Sequence, residues 1–229
     1  MARRAIGWSV VLVASLTVFV AILVQVVTHW GLTISLDPWL ARAIAQHRLA
    51  WLAQLFSLLT WLGSSVVLIP LGLVVAGGIW LRERRIRPAV LLALALGGAA
   101  ALYDILKPLV GRMRPPAALQ YGGPDTDFSF PSGHATQSAS FYAMLVVVLV
   151  RYLWPRRRAL FISGATLLVL IVAASRLYLG VHWLSDVLGG LALGLGWFAL
   201  LQLLELRFPD ANPSGSESRS RRSGRTAPG

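Results

Sequence analysis

The sequence contains no cysteine and few charged residues. Only 13% of its 229 residues are Asp, Glu, Lys or Arg, whereas a soluble domain is nearer a quarter charged. The absence of cysteine excludes a disulfide framework, a thiol nucleophile and a metal site with cysteine ligands, but it does not identify the compartment. Acidic residues are especially scarce, since the sequence contains nine acidic and 21 basic residues.

What the chain has instead is apolar surface. Hydrophobic residues make up 56% of it and the mean hydropathy is +0.68. A chain of this length forms one domain and cannot hide so much apolar surface from water, so the bilayer is its predicted solvent. The net charge of +12 does not indicate a nucleic-acid partner, because the arginines form short clusters between apolar segments and no continuous basic face. The sequence does not indicate an oligomeric state.

Six apolar segments are long enough to be membrane helices, and the predicted fold class is therefore an all-α polytopic membrane protein. The first segment has a basic start like that of a signal peptide, but it is long for one and lacks a clear cleavage site before Thr28, so we interpret it as an uncleaved span. No internal repeat is evident. The predicted spans are residues 8–27, 64–81, 89–106, 135–150, 159–174 and 183–204.

Residues 36–62, between the first two spans, mix apolar, polar and aromatic residues. Asp37 is followed by proline, which is typical of a helix start. Tryptophan favours the membrane–water boundary, and Trp39, Trp51 and Trp61 recur here among basic and amide residues. We predict an amphipathic interfacial helix on the outer surface. An additional spanning helix is the alternative, and whether residues 38–62 lie on or enter the membrane stays open.

The arginines predict the orientation of the chain. With six spans, the N-terminus, the 82–87 turn, the 151–158 turn and the segment from Arg207 onward share one side, and they hold 15 of the 21 basic residues. Positive charge favours the cytoplasm, so both termini are predicted to be cytoplasmic in the cell membrane. Residues 1–208 form the predicted membrane domain, and the polar, basic segment 209–229 is predicted to be a disordered tail.

Three polar clusters between Asp104 and Asp186 lie at the ends of apolar segments on the predicted outer side. In the third cluster, His182 and Asp186 are four residues apart at a helix start and share one face. The carboxylate can orient the imidazole, which leaves the other ring nitrogen free to attack. A helix-capping pair without chemistry is the alternative. A metal site is another, although no third and fourth ligand clearly complete it.

The second cluster is the tetrapeptide from Pro131 to His134. Gly133 allows the backbone to approach a ligand closely, and Ser132 can cap the helix that follows, where free N–H groups favour an anion. His134 in the first turn suits a general acid that protonates a leaving alkoxide. The plain alternative is a helix start without chemistry.

The first cluster and the end of the fifth span supply cations. Lys107, Arg114 and Arg176 can together neutralise phosphoryl oxygens and the charge that grows in a transition state. Asp104, three residues before Lys107, is predicted to orient that lysine. Arg112 lies outside the pattern and is interpreted as a lipid or phosphate contact. The alternative is that these cations only extend towards water from helix ends.

Taken together, the three clusters resemble the three-part signature of the type 2 phosphatidic acid phosphatase family, the lipid phosphate phosphatases. The matching segments are Lys107-x6-Arg114-Pro115, Pro131-Ser132-Gly133-His134 and Ser175-Arg176-x5-His182-x3-Asp186. The resemblance implies a phosphatase that needs no metal or other cofactor and forms a phosphohistidine intermediate. It implies that His182 is the nucleophile, Asp186 its partner and His134 the proton donor. It also implies that Lys107, Arg114, Ser132, Gly133 and Arg176 hold the phosphate.

The predicted function is a membrane lipid phosphatase with its active site at the outer leaflet. Its predicted substrate is a phosphate monoester or diphosphate lipid of the undecaprenyl diphosphate, phosphatidic acid or phosphatidylglycerol phosphate type. A transporter or flippase of an anionic headgroup is a rival hypothesis, but no polar cluster lies in the middle of a span. A lipid phosphotransferase and a phosphatase acting on a soluble phosphate are further rivals. Nothing in the sequence identifies the lipid tail.

Overall fold

Helices account for nearly all of the regular structure in the computed structural model, which describes residues 2–123 and 127–208. The predicted disordered tail, residues 209–229, lies outside these described residues. In chain order the helices are α1 (Ala2–Thr28), α2 (Leu32–Gln46), α3 (Ala50–Leu59), α4 (Ser65–Glu83), α5 (Arg87–Val110), α6 (Gly133–Tyr152), α7 (Arg158–Tyr178) and α8 (Leu184–Arg207). Short 3-10 turns cover Thr60–Gly63, Ala117–Leu119 and Pro155–Arg157.

Six of the helices, α1 and α4 to α8, are long and apolar enough to cross a membrane. The prediction of six spans and an all-α fold is therefore confirmed. The spans have 19 to 27 residues, and at a rise of about 1.5 Å per residue even the shortest approaches the thickness of the hydrocarbon core. Each spanning helix extends one or more residues beyond at least one of its predicted ends, because the helical hydrogen bonding continues past the apolar segment.

The segment between the first two spans forms two helices, where the sequence predicted one. Helix α2 has 15 residues and α3 has 10, so neither is long enough to cross the hydrocarbon core of about 30 Å. The prediction that a helix begins at Asp37 is wrong, because α2 begins at Leu32 and Asp37 lies inside it, buried. Large exposed aromatic side chains mark this segment, in keeping with a position at the membrane boundary. They are Trp30, Trp39, Trp51 and Trp61.

Helices α6 and α8 form the centre of the bundle. Both are much more buried than the other four spans. Helix α8 packs against α1 and α6, and α6 also packs against α5 and α7. Aromatic rings support this arrangement, because Phe130 stacks on Phe19 of α1 and Phe198 of α8 meets Trp8 edge-on. The two predicted histidines of the site lie at the start of α6 and just before α8, so they belong to the best-packed part of the fold.

Two glycines of α8 allow it to approach α6 closely. A Cβ atom at Gly190 would lie 2.7 Å from the backbone oxygen of Ser132, and one at Gly194 would lie 2.3 Å from the backbone oxygen of Thr136. Both separations are shorter than any ordinary contact of a Cβ atom, so no other residue fits without moving a helix. Glycines four residues apart are a known basis of close packing between membrane helices.

Candidate active site

A cavity of about 370 Å³ opens at one end of the bundle. The beginning of α4, the end of α5, the beginning of α6 and the end of α7 meet there, because successive spans run in opposite directions. All three polar clusters of the sequence contribute to its wall. The lining residues are Ser64, Ser65, Tyr103, Asp104, Lys107, Arg114, Asp127, Gly133, His134, Gln137, Arg176 and His182.

Seven of the nine predicted site residues therefore line one cavity. Two do not, namely Ser132 and Asp186, and both are fully buried behind its wall. The structure thus brings together side chains that are up to 78 positions apart in the sequence, from Asp104 to His182. This convergence is the spatial condition that a shared phosphate site requires.

His182 lies in the connection before α8, and its carboxylate partner lies in the first turn of that helix. The His182 Nδ1 atom is 3.5 Å from Asp186 Oδ2 and 3.3 Å from the hydroxyl of Ser129. Asp186 Oδ2 also accepts a hydrogen bond of 2.8 Å from the Trp183 backbone N–H. The Asp186 carboxylate therefore caps α8 and also faces the imidazole. An orienting role and a capping role, which the sequence offered as alternatives, are compatible.

The other ring nitrogen of His182 faces the cations of the cavity. Its Nε2 atom lies 3.3 Å from Nη1 of Arg114. Burial lowers the pKa of His182 well below its ordinary value, and the positive charges of Arg176, Arg114 and Lys107 lower it further. The imidazole is therefore neutral near pH 7, which leaves a ring nitrogen with a lone pair available for attack.

The three predicted cations come from three different parts of the chain. Lys107 lies in the last turn of α5 and Arg176 in the last turn of α7. Arg114 follows α5 and donates from Nη1 to the backbone oxygen of Val181, at 2.7 Å. Arg176 donates to the Thr60 hydroxyl at 3.0 Å. These contacts orient both guanidinium groups beside His182, where they can bind phosphoryl oxygens.

The start of α6 differs from the prediction in one detail. Ser132 occupies the N-cap position, but its side chain makes no capping hydrogen bond. Its Oγ atom is buried and has no partner among the described residues. The Ser132 backbone N–H instead donates to the backbone oxygen of Asp186, at 3.1 Å. This bond joins the beginnings of α6 and α8, and with them His134 and His182.

Arg112 was interpreted from sequence as a lipid or phosphate contact, and the structure places it elsewhere. Its Nη1 atom pairs with Asp186 Oδ1 and its Nη2 atom with Asp37 Oδ2, both at 2.6 Å. Asp37 in turn accepts a hydrogen bond of 2.9 Å from the Ser185 backbone N–H. Arg112 thus connects the interfacial helix α2 to the carboxylate behind His182 and does not line the cavity.

Asp104 lines the cavity, but Lys107 has a different carboxylate partner. The Lys107 ammonium pairs with Asp127, and Arg114 also pairs with Asp127. Burial raises the pKa of Asp127, but hydrogen bonds and charge attraction from Lys107 and Arg114 outweigh this and hold the pKa below its usual value. The sequence prediction that Asp104 orients Lys107 finds no hydrogen bond or ion pair in the part of the chain that the structure describes.

The remaining wall of the cavity is polar and mostly uncharged. Ser65 donates to the Gln137 side-chain oxygen at 3.0 Å, and the Gln137 amide donates to the Tyr103 hydroxyl at 2.8 Å. Sequence reasoning missed these residues, together with Asp37, Asp127 and Ser129. Ser65, Tyr103 and Gln137 are ordinary polar residues of apolar spans, and their polarity at membrane depth was the one available signal. Asp37, Asp127 and Ser129 lie outside the spans and carried no such signal.

The fold and the site together define a class of protein: a membrane-embedded phosphatase whose histidine, carboxylate and cations meet at one end of a helical bundle. The sequence model of the PAP2 superfamily matches residues 88–208, which is more than half of the chain. This chain belongs to the PAP2 superfamily.

Known proteins of this superfamily are similar to the chain over most of its length. Phosphatidylglycerophosphatase B of Bacillus subtilis is 34% identical over 191 residues, which cover 82% of this chain and 92% of the relative. The lipid A 1-phosphatase of Rhizobium etli is 33% identical over 178 residues, covering 69% and 72%. The crystal structure of a transmembrane PAP2-type phosphatidylglycerolphosphate phosphatase from Bacillus subtilis matches with a TM-score of 0.81 and 28% identity, covering 88% of this chain and 98% of that one.

Proposed function

We propose that this protein hydrolyses a phosphorylated membrane lipid through a phosphohistidine intermediate formed on His182. One observation carries the proposal. A neutral imidazole, backed by Asp186 on its Nδ1 side, presents Nε2 to a cavity lined by Lys107, Arg114 and Arg176. This arrangement combines an oriented nucleophile with a preformed cation site for the phosphoryl group.

The proposed reaction has two steps. In the first, His182 Nε2 forms a bond to phosphorus while the bond from phosphorus to the lipid oxygen breaks, and the protonated His134 donates its proton to the departing oxygen. The cations stabilise the negative charge of the equatorial oxygens, and Asp186 stabilises the positive charge that develops on the His182 ring. In the second step, His134 accepts a proton from water while the water oxygen forms a bond to phosphorus. The bond from phosphorus to His182 Nε2 breaks, which releases inorganic phosphate, restores the neutral His182 and leaves His134 protonated.

Gly133 completes the proposed phosphate site from the start of α6, and the buried Ser132 before it is proposed to support that site from behind the cavity wall. Gly133 lines the cavity, and backbone N–H groups at a helix N-terminus favour an anion. The proposed chemistry uses only side chains and backbone of this chain, so we propose that it requires no metal ion or other cofactor. Residues 1–208 are proposed to form the catalytic membrane domain.

We propose that the cavity opens at the outer leaflet and that both termini are cytoplasmic. The distribution of arginine supports this orientation, because the turns after α4 and α6 are rich in arginine and lie at the end of the bundle opposite the cavity. The lipid tail would then stay in the bilayer while the headgroup enters the cavity. Labelling of a single cysteine introduced at Gln120 tests the orientation, and modification from the cytoplasmic side alone would contradict it.

The substrate is proposed to be a phosphate monoester or diphosphate lipid of the phosphatidylglycerol phosphate, phosphatidic acid or undecaprenyl diphosphate type. The names of the two relatives support lipid phosphates as a class, since one is a phosphatidylglycerophosphatase and the other a lipid A 1-phosphatase. The cations of the cavity recognise the phosphate that these lipids share.

The proposed function is tested by measuring phosphate release from these lipids by the purified protein in detergent. We expect release that persists in EDTA, is inhibited by vanadate, and falls by about a thousandfold or more in His182→Ala. His47→Ala is the matched control, because that histidine lies at the end of α2 and does not line the cavity. A requirement for a divalent metal would contradict the phosphohistidine mechanism, and lipid movement without phosphate release would contradict hydrolysis.

A further inference from the structure

The carboxylate of Asp127 occupies the cationic side of the cavity. Its two oxygens are shared between two cations of the proposed phosphate site, since Oδ2 pairs with Lys107 Nζ and Oδ1 with Arg114 Nη2. One planar anion thus bridges the groups that would otherwise bind two phosphoryl oxygens. The contacts with these cations keep Asp127 ionised at neutral pH.

The surroundings of Asp127 allow its side chain to leave the cations while its backbone stays in place. The backbone oxygen of Asp127 accepts a hydrogen bond of 2.9 Å from Arg114 Nε. Its side chain is 55% exposed, whereas those of Lys107 and Arg114 are 13% and 7% exposed. Rotation of the side chain would therefore move the carboxylate into water, while the two cations remain within the wall of the cavity.

We propose that Asp127 is a specificity residue: an internal anion that a lipid headgroup must displace from Lys107 and Arg114 before it can react. The inference rests on the proposed phosphatase function and adds to it a rule for headgroup charge. A dianionic phosphate monoester displaces Asp127 readily, whereas a monoanionic phosphodiester does not.

The rule follows from the balance of charge. A phosphomonoester carries about −1.5 to −2 charges at pH 7, so it is attracted to the two cations more strongly than the single negative charge of Asp127. A phosphodiester headgroup carries one negative charge, and exchanging it for Asp127 yields no additional attraction. Structural phospholipids of the bilayer are phosphodiesters and outnumber any phosphorylated intermediate. Without such a barrier they would compete for the same cations.

The experiment measures competition in mixed micelles of a non-ionic detergent. Phosphate release from phosphatidic acid is measured while phosphatidylglycerol, a monoanionic phosphodiester, is added at increasing mole fraction, and phosphatidylcholine serves as the zwitterionic control lipid. The variants are Asp127→Asn, which removes the charge, and Asp127→Glu, which keeps it. Glu83→Gln is the matched control, because it removes one carboxylate at the end of α4, where Glu83 lies 3.7 Å from Arg85.

With phosphatidic acid kept well below its KM, we expect Asp127→Asn to be inhibited by phosphatidylglycerol at a mole fraction about two- to fivefold lower than the wild type, the range that loss of one partly exposed charge competitor implies. Asp127→Glu and Glu83→Gln should follow the wild-type inhibition curve. The inference is overturned if Asp127→Asn also follows the wild-type curve, or if Asp127→Glu is as sensitive as Asp127→Asn.

A binding measurement separates this inference from the proposed function. Titration calorimetry in a His182→Ala background compares phosphatidic acid with phosphatidylglycerol, with and without Asp127→Asn, in the absence of turnover. Affinity should be higher for phosphatidic acid than for phosphatidylglycerol, and both affinities should rise by about two- to fivefold when Asp127 is neutralised, because each headgroup displaces the same carboxylate. If the wild type releases no phosphate but both affinities rise, the proposed hydrolysis is wrong and the displacement of Asp127 stands. Unchanged affinities, with an active wild-type enzyme, overturn the displacement of Asp127 alone.

Discussion

Replacing Arg112 with methionine should separate support of the nucleophile from substrate binding. Arg112 forms two ion pairs of 2.6 Å, with Asp37 and with Asp186. Both carboxylates are buried, with 2% and 0% of their side chains exposed. Methionine fills much of the same space without charge, so the variant leaves two buried carboxylates without their shared cation.

The structure gives the expected size of the effect. Breaking a buried ion pair by removing one partner costs about 3–5 kcal/mol, because the remaining charge is uncompensated. Asp186 is also the group that would stabilise positive charge on His182 during attack, and loss of such an orienting carboxylate lowers kcat by up to about 10⁴-fold. Because Asp186 itself remains in Arg112→Met, we expect a smaller decrease in kcat, of about 10- to 100-fold. The KM should stay close to the wild-type value, since Arg112 does not line the cavity.

The assay combines steady-state kinetics on phosphatidic acid with thermal unfolding in detergent. Asp37→Asn is the companion variant, because it weakens the same cluster but keeps the pair between Arg112 and Asp186. We expect Asp37→Asn to lower the unfolding temperature with a smaller effect on kcat. The double variant with Arg112→Met should recover part of the lost stability but not the lost kcat. Wild-type kcat in a folded Arg112→Met protein would refute the assignment of Arg112 as a positioning residue.

Two further predictions concern helix packing and pH. Gly194→Val should lower both the unfolding temperature and phosphatase activity, because a Cβ atom there would lie 2.3 Å from the Thr136 backbone oxygen; Gly164→Ala, with open space around it, is the control and should change neither. The lowered pKa of His182 predicts that the acid limb of kcat/KM, corrected for ionisation of the substrate, lies at a pH well below 6.5, where the imidazole takes up a proton. The same sign applies to stability, which should fall at low pH as the unfolded state binds the additional proton. An acid limb centred at or above pH 6.5 would contradict the assignment of His182 as the neutral nucleophile.

Much of the fold was predictable because membrane helices have a strong signal in sequence. Long apolar segments have few other stable conformations in a bilayer, so five of the six spans were placed within four residues of their observed ends, and the sixth, α1, begins six residues earlier than predicted. The segment between α1 and α4 was harder, because an amphipathic pattern does not show where one helix stops and another begins. Asp37 illustrates this difficulty. Its neighbouring proline is typical of a helix start, yet Asp37 lies within α2, and its side chain is buried in contact with Ser185 and Arg112.

The candidate site was predictable where its residues follow a local spacing, and not where they meet only in three dimensions. His182 and Asp186 are four residues apart, and Lys107, Arg176 and Gly133 lie at helix ends, so their convergence could be expected. The expected shared helix face was wrong in one respect, because α8 begins at Leu184 and His182 lies in the connection before it. The contacts of Arg112 with Asp37, and of Lys107 with Asp127, join positions 75 and 20 residues apart. No periodicity relates such positions, and the cation that supports Asp186 is therefore visible only in the structure.

The close approach of α6 and α8 has a consequence for how the bilayer affects this protein. His134 and Asp186 lie on α6 and α8, and His182 directly precedes α8; the separation of these two helices is set by backbone contact at Gly190 and Gly194. Lys107 and Arg176 are carried by α5 and α7, which are much less buried. A thinner or thicker membrane changes the tilt of lipid-facing helices before it disturbs the central pair. Lipid chain length should therefore alter the strength with which phosphate is held while leaving the rate of the bond-breaking step almost constant.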